Sequence, residues 1–486
     1  MSLGESIRKG AKWLTAGSVA GQVMQFAFGV ALARILVPED FGLLVTVQIF
    51  TGIAGYFASG GTGDALVRAK VLGPRDCDVA FTLQLGACAL IYATFFALAP
   101  LIALWFRNPL YTDLTRVSAL SFLIRPFLNI PKVLLRRDMR YDVLAKLGFV
   151  SALATGAISV GMALAGMGVW ALVIGGMSGS VLAILPCAML ARWRPAFHMD
   201  RAIVGQLWAY GAKVSVTEMI SYARRQVSNF LISRSLGPAA VGLFNKADSL
   251  SYMPVTTISS AVYDPVFRAL ATVQDNRDQS RYIYLRTITL LTVYTLPFYV
   301  GMHWLAEPFI VLLFGVKWAA SAPLLEIMSL SGLFFCIGHA PGAVLAARNE
   351  LGREIVVQAA HLVLLAGGTL VGMRWGVEGV AWAVFATYVY SSLHMSWLAN
   401  RSVGAGFTDV LKAIGPGLFL NAFLVAALLA CDLVLPATVR DSNLAYLLVA
   451  GAAGGLVYLA AFLLLPIPAL SAEALRWRRM LHLVRA

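Results

Sequence analysis

Apolar residues run along this chain in blocks of about 20, separated by short basic or polar segments, without the strict alternation of a half-buried strand. Each block is long enough to cross roughly 30 Å of hydrocarbon as a helix. A continuous apolar run fits a spanning helix because lipid offers backbone groups no partner outside the segment. The pattern predicts 14 spans, at about 13–33, 41–61, 79–104, 114–131, 147–166, 169–190, 207–232, 241–263, 285–305, 322–344, 355–373, 377–398, 413–435 and 443–465. The chain therefore reads as an all-α polytopic membrane protein. The first run follows Arg8, Lys9 and Lys12, but it is too long for a signal-peptide core and lacks a clear cleavage site, so it is expected to be a retained span.

A repeat sharpens the pattern. Arg34-Ile-Leu-Val-Pro-Glu-Asp-Phe-Gly-Leu43 is echoed 200 residues later by Arg234-Ser-Leu-Gly-Pro-Ala-Ala-Val-Gly-Leu243, and the register continues through Ser59/Ser259, Asp64/Asp264, Arg68/Arg268 and Ala69/Ala269. Six spans separate the two starts, so both copies share an orientation, as in a transporter built of two parallel lobes. Lobe one is expected at 1–200 and lobe two at 201–410, each with six helices, leaving two extra spans and a basic tail at 411–486. The repeat is also what makes spans 7 and 8, the least apolar, transmembrane in this reading.

Composition agrees. Hydrophobic residues make up 59% and charged residues 13%, with mean hydropathy +0.77, against about 25% charge in an average soluble protein. The net charge of +14 is largely a topology signal. With a cytoplasmic N-terminus and alternating spans, 26 of the 38 basic residues fall in cytoplasmic segments and 8 in outer ones, as the positive-inside rule requires. Scattered loop charges without a binding motif argue against a nucleic-acid partner.

Motif chemistry is sparse. Cys77, Cys88, Cys187, Cys336 and Cys431 show no CxxC spacing, and His303, His339, His361 and His394 show no metal-ligand spacing. They are expected to be small buried hydrophobes and packing or loose polar groups, with no metal and no cofactor. No nucleophile elbow or P-loop appears, and no loop could hold a nucleotide domain. The chain is not expected to be an enzyme.

What remains is charge at membrane depth, which costs at least about 2.5–3.5 kcal/mol per group and so faces a cavity or a partner. On span 7, Lys213, Thr217, Ser221, Arg224 and Ser228 fall within an arc of about 80°, and Glu218, Tyr222, Arg225 and Asn229 occupy the next arc. Span 4 carries Arg125, ahead of Pro126 and Pro131; span 8 carries Asp248 and Asp264. Two readings stand. In one, Arg125, Lys213, Arg224 and Arg225 make an electropositive cavity for an anion such as a diphosphate. In the other, Glu218 pairs with Arg225 or Lys213, and Asp248 with Arg224, so that the charges pin helices together.

The Arg34–Leu44 motif, the basic exit Leu134-Leu-Arg-Arg-Asp-Met-Arg-Tyr141 and Leu236-Gly-Pro-Ala-Ala-Val-Gly-Leu-Phe-Asn-Lys-Ala247 resemble the polysaccharide-transporter (Wzx-type) branch of the multidrug/oligosaccharidyl-lipid/polysaccharide exporter superfamily. The resemblance implies two six-helix lobes, alternating access, and a flippase that moves a polyprenyl-diphosphate-linked oligosaccharide across a bacterial plasma membrane for exopolysaccharide, capsule or O-antigen synthesis. A polymerase and a chain-length regulator of the same pathway are the implied partners. The competing readings are an ion-coupled multidrug exporter of the same fold, which would want an acidic cavity, and a membrane-embedded polysaccharide polymerase, which would want a long outer loop or an acidic cytoplasmic site.

The alternation gives a direct test. Reporter fusions after Arg107, Lys317 and Arg440 should report an outside location and fusions after Arg194 and Arg401 an inside one; reversed signals at 317 or 401 would exclude the two-lobe arrangement.

Overall fold

The structure is a computed structural model that describes residues 20–59, 66 and 73–481. Arg8, Lys9, Lys12, Asp64, Arg68, Lys70 and Arg485 lie outside the described residues. Among those described there is no strand, and a helix stands at each of the fourteen expected places. Among the described residues nine stretches are long and apolar enough to cross a membrane, or ten if one bent pair counts as a span; the stretch Gly352–Val403 contains two helices. The chain divides into two compact units, Met1–Gly242 and Leu243–Ala486.

The first unit holds α1 (20–35), α2 (Pro38–Ser59), α3 (Pro74–Phe106), α4 (Leu110–Arg137), α5 (Tyr141–Leu164), α6 (Val169–Leu190) and α7 (Arg201–Ser235). α8 (Pro238–Thr272) begins at its end and continues into the second unit. Pro38 and Pro238 each open a helix, where a missing N–H costs nothing. Asp40 accepts the N–H of Val37 at 3.2 Å and so caps α2. The core between α3 and α4 is apolar and aromatic, with Phe81 against Phe127 and Trp193 at 5.2 Å each. α5 and α6 pack through small residues: a Cβ on Gly175 would lie 2.2 Å from Ser159 Oγ, and one on Gly179 would lie 2.2 Å from the Ser151 carbonyl oxygen. Close backbone approach through Gly and Ser is the usual way helices associate where lipid removes the hydrophobic drive. α4 remains one helix through Pro126 and Pro131.

The repeated motif explains itself here. A Cβ on Gly42 would sit 1.7 Å from the carbonyl oxygen of Pro238, and a Cβ on Gly242 would sit 1.9 Å from the carbonyl oxygen of Pro38. Each copy of the Pro-x-x-x-Gly turn thus rests its glycine on the other copy's proline, reciprocally, as in an isologous contact. Beside it, Thr46 Oγ1 and Ser233 Oγ share a hydrogen bond of 2.6 Å.

The second unit continues with α9 (Arg277–Trp304), α10 (Ala306–Phe314), a 3₁₀ turn at Val316–Ser321, α11 (Ala322–Ser329), α12 (Gly332–Ala347), α13 (Leu351–Gly372), α14 (Gly376–Val403), α15 (Phe407–Val434), α16 (Asn443–Leu464) and α17 (Ser471–Met480). α9 lies in its core. Its buried Thr287, Thr289 and Thr292 donate to carbonyls one turn back, at 2.7–3.1 Å, which satisfies hydroxyls at membrane depth. The final pair of spans packs onto α9: Gly417 of α15 meets Thr292, and the Asp432 carboxylate accepts from Trp304 Nε1 at 2.9 Å and from the Tyr446 hydroxyl. α17 docks below, with Trp477 Nε1 donating to the Tyr294 hydroxyl at 2.9 Å and Arg286 paired to Glu473 at 3.2 Å.

Span 10, expected as one helix at 322–344, is broken. The stretches Val316–Ser329 and Gly332–Ala347 meet at 52°. The break falls where the Tyr299 ring occupies the space of a Cβ on Gly332, 2.1 Å away, and the serines at 329 and 331 weaken the helix around it.

If the glycine contacts hold the motif together, Gly42→Ala or Gly242→Ala should lower the thermal midpoint of the purified protein by several degrees, in line with roughly 1–3 kcal/mol for forcing atoms into a packed site. Gly86→Ala, whose Cβ would meet nothing within 4 Å, is the control expected to melt as the parent does. A parental midpoint for Gly42→Ala would remove the contact's structural role.

Candidate functional site

Helix α2 presents Gln48, Gly52, Gly55 and Tyr56 on one face, spaced at helical intervals. Two neighbouring helices use that face. From α7, the Tyr222 hydroxyl donates to the Gln48 carbonyl at 2.8 Å, its ring tilts against Tyr56 at 5.7 Å, and its hydroxyl lies 2.1 Å from where a Cβ on Gly52 would be. From α4, Arg125 Nη1 donates to the Gly55 carbonyl at 3.2 Å and lies 2.6 Å from where a Cβ on Gly55 would be. The two glycines are the room that lets a phenol and a guanidinium reach the α2 backbone.

Arg125 is half-buried and forms no ion pair among the described residues. Its company is the Gly55 carbonyl and the face of Phe122, 5.1 Å from the guanidinium carbon. A carbonyl and a ring moderate the charge without neutralising it. A guanidinium has five N–H donors in a planar fork suited to carboxylate or phosphate, and one carbonyl engages a single nitrogen. The arrangement suits an anion brought in from outside the chain.

The other expected residues divide. Arg225, exposed, lies 5.9 Å from the ring centroid of Tyr222 on its own helix. Arg224 is half-buried, and its side chain makes no hydrogen bond or ion pair among the described residues. Lys213 and Glu218 sit on helical backbone of α7, but their side chains lie outside the described residues. Asp248, half-buried on α8, belongs to the second unit, near Lys246, whose ammonium lies over the rings of Phe314 and Trp318 at 4.6 and 4.9 Å. Tyr222 of the polar arc thus serves docking: it and Ser233 bond to α2, while Phe230, outside the arc, packs on Phe50 and Phe106 at 6.1 and 6.0 Å. Gln48, Gly52, Gly55 and Tyr56 were not singled out from the sequence. Their signal was the Gly52-x-x-Gly55-Tyr56 run inside an apolar helix.

The second unit contains an apolar cavity of about 610 Å³ between α9, α15 and α16, closed at one end by Trp477. Pro297, Phe298, Leu424, Leu428, Leu447 and Leu459 are among its walls. Such a lining suits hydrocarbon and nothing charged.

Comparison with known proteins places this geometry. The sequence profile of a family described as polysaccharide biosynthesis protein matches residues 31–323. The lipopolysaccharide biosynthesis protein WzxC of Escherichia coli (strain K12) is 23% identical over 72% of each chain. The succinoglycan biosynthesis transport protein ExoT of Rhizobium meliloti (strain 1021) is 24% identical over 99% of this chain and 96% of its own. The teichuronic acid biosynthesis protein TuaB of Bacillus subtilis (strain 168) is 22% identical over 85% and 86%. Among solved structures, the lipid II flippase MurJ in an inward closed conformation shares the fold with a TM-score of 0.75 at 14% identity, over 96% of this chain and 99% of that one. An inward-facing multidrug resistance MATE family transporter of the MOP superfamily follows with 0.62 at 15%, over 79% and 94%.

Proposed function

The chain belongs to the polysaccharide biosynthesis protein family, and from that premise we propose that it is a flippase for a polyprenyl-diphosphate-linked oligosaccharide. The single observation that carries the chemistry is Arg125, a half-buried guanidinium whose described partners are one carbonyl and one ring. A glycan headgroup cannot cross hydrocarbon unaided, because its hydroxyls would lose their hydrogen bonds to water at a cost of several kcal/mol each. A polar path supplies substitutes for the sugars, and a guanidinium supplies the counter-charge for the diphosphate. The hydrocarbon tail needs neither and can stay among apolar side chains, for which the cavity around Pro297 and Leu428 is suited. The names of WzxC, TuaB and ExoT support a polysaccharide or lipopolysaccharide pathway, and that of MurJ supports a lipid-linked substrate.

The finer reading follows from the charge pattern. The fourteen helical stretches are taken as fourteen spans, with both termini on the cytoplasmic side of a bacterial plasma membrane. Lobes at 1–200 and 201–410 alternate access to the two leaflets, with the terminal pair outside the repeat. Arg125, Lys213, Arg224 and Arg225 are the substrate-facing cations, and Glu218 and Asp248 are available to an ion or to pairing. A polymerase and a chain-length regulator would take the delivered repeat units. A drug exporter of the same fold would seat cationic compounds on carboxylates, whereas the half-buried group at the α2 face is a guanidinium.

In a strain dependent on this chain, Arg125→Ala should reduce surface polysaccharide about tenfold or more, consistent with the ~1.5–3 kcal/mol of a lost charged hydrogen bond. Membrane abundance should stay near the parental level and lipid-linked intermediate should accumulate. Arg125→Lys should restore part of the export, since it keeps charge and loses the planar fork. Normal export from a stably produced Arg125→Ala, Arg224→Ala double variant would exclude both residues from substrate handling.

A further inference from the structure

The first unit contains a second and larger cavity, about 790 Å³, enclosed by α1, α4, α5 and α6. Its walls do not include the α2 face on which Arg125 and Tyr222 meet. On α5 the lining runs from Tyr141 to Ser159 in a single helical stripe, about 27 Å at 1.5 Å per residue. The cavity is therefore a groove along most of a span.

It is graded along its length. Lys132 and Arg136 of α4, one turn apart, line one end together with Tyr141, and Gln22 and Gln25 of α1 lie toward the same end. Toward the other end the walls are Phe28, Gly29, Leu32, Leu172 and Gly176. The two cations differ from their neighbours in the same basic exit. Arg137 donates to the carbonyl of buried Leu66 at 3.1 Å, and Arg140 to the carbonyl of Leu190, the last residue of α6, at 2.6 Å. The side chains of Lys132 and Arg136 make no hydrogen bond or ion pair among the described residues.

The groove is held open by the same residue type that elsewhere closes helices together. Gly156, Gly175 and Gly179 allow contacts in which a Cβ would collide, at 2.0–2.2 Å. At Gly21, Gly29, Gly148 and Gly176, all in the lining, a Cβ would meet nothing within 4 Å. Those four positions border space. Among the lining side chains, Phe149 of α5 is apolar and exposed.

From this arrangement we propose that the groove is a seat for an anionic glycerophospholipid, its phosphate held by Lys132 and Arg136 and one acyl chain laid along the α5 stripe. Charge complementarity chooses the headgroup, since basic pockets between membrane helices recognise lipid phosphates. The length and the apolar far end choose a chain-bearing molecule over a free anion. The volume lies within the roughly 300–1,000 Å³ of ligand sites. This lipid is bound, not transported, and the inference does not depend on what the protein exports.

The experiment measures retention of labelled phosphatidylglycerol and phosphatidylcholine by the purified full-length protein in detergent, with inorganic phosphate as competitor. The parent should retain phosphatidylglycerol in preference to phosphatidylcholine, and millimolar phosphate should not displace it. Lys132→Gln with Arg136→Gln should weaken phosphatidylglycerol retention at least tenfold and remove the preference. Gly148→Leu with Gly176→Leu, which fills open space, should abolish retention at an unchanged thermal midpoint. If that variant unfolds, the Lys132→Gln, Arg136→Gln protein decides alone. Equal retention of both lipids by the parent, retention unaltered by the charge variant, or displacement by inorganic phosphate would each overturn the proposal.

Discussion

The reciprocal seating of two glycines on two proline carbonyls is the constraint from which much of the first unit follows. With a Cβ at Gly42 or Gly242 the helices could not approach to the distances seen. That approach lets Thr46 reach Ser233, places α7 along α2, and brings Tyr222 onto Gly52 two turns further on. In a lipid environment there is little hydrophobic gain in bringing helices together, so contact distance and hydrogen bonds must supply the association. A pair of residues repeated 200 positions apart is therefore a pair of surfaces as well as a trace of duplication.

The same physics separates structural polarity from functional polarity. Thr287, Thr289 and Thr292 on α9 return their hydroxyls to carbonyls of their own helix, and Asp432 is matched by a tryptophan and a tyrosine from two other helices. These groups are satisfied internally and ask for nothing further. Arg125 is different. A carbonyl and an aromatic face hold it in position, yet neither carries a countercharge. In the function proposed above, that group is a fixed positive site whose cost is recovered when an anion arrives.

The legible part of the fold was whatever repeats with a period. Apolar blocks marked most of the long helices, and the echo at 200 residues marked the least apolar two, α7 and α8, together with the paired turns at Pro38 and Pro238. What was not legible depends on contact between distant segments. The break in span 10 turns on a tyrosine ring 33 positions upstream, lying where Gly332 has no side chain; the block 322–344 is apolar on both sides of it. The wheel of span 7 showed that one half is polar, but the wheel alone cannot tell a polar helix neighbour from water. Tyr222 took the first of these roles. Arg125 stood out in the sequence because charge in an apolar run is rare. Gly52 and Gly55 did not, because glycine in an apolar run is common.

Cavities are the extreme case of this limit, since they exist only where packing stops. Gly175 and Gly176 are adjacent in sequence and indistinguishable there, yet one touches Ser159 and the other borders open space. Helical periodicity accounts for the difference: a step of 100° turns one glycine toward the seam with α5 and the next toward the groove. Once the seam is known, the groove follows from it, and so does the meaning of the basic exit after α4. Arg137 and Arg140 donate to the carbonyls of Leu66 and Leu190, while Lys132 and Arg136, four residues apart on one helical face, line the groove. A cluster that the positive-inside rule treats as one topology signal thus divides into two pairs, one that satisfies carbonyls and one that faces the groove, where the proposed lipid phosphate would sit.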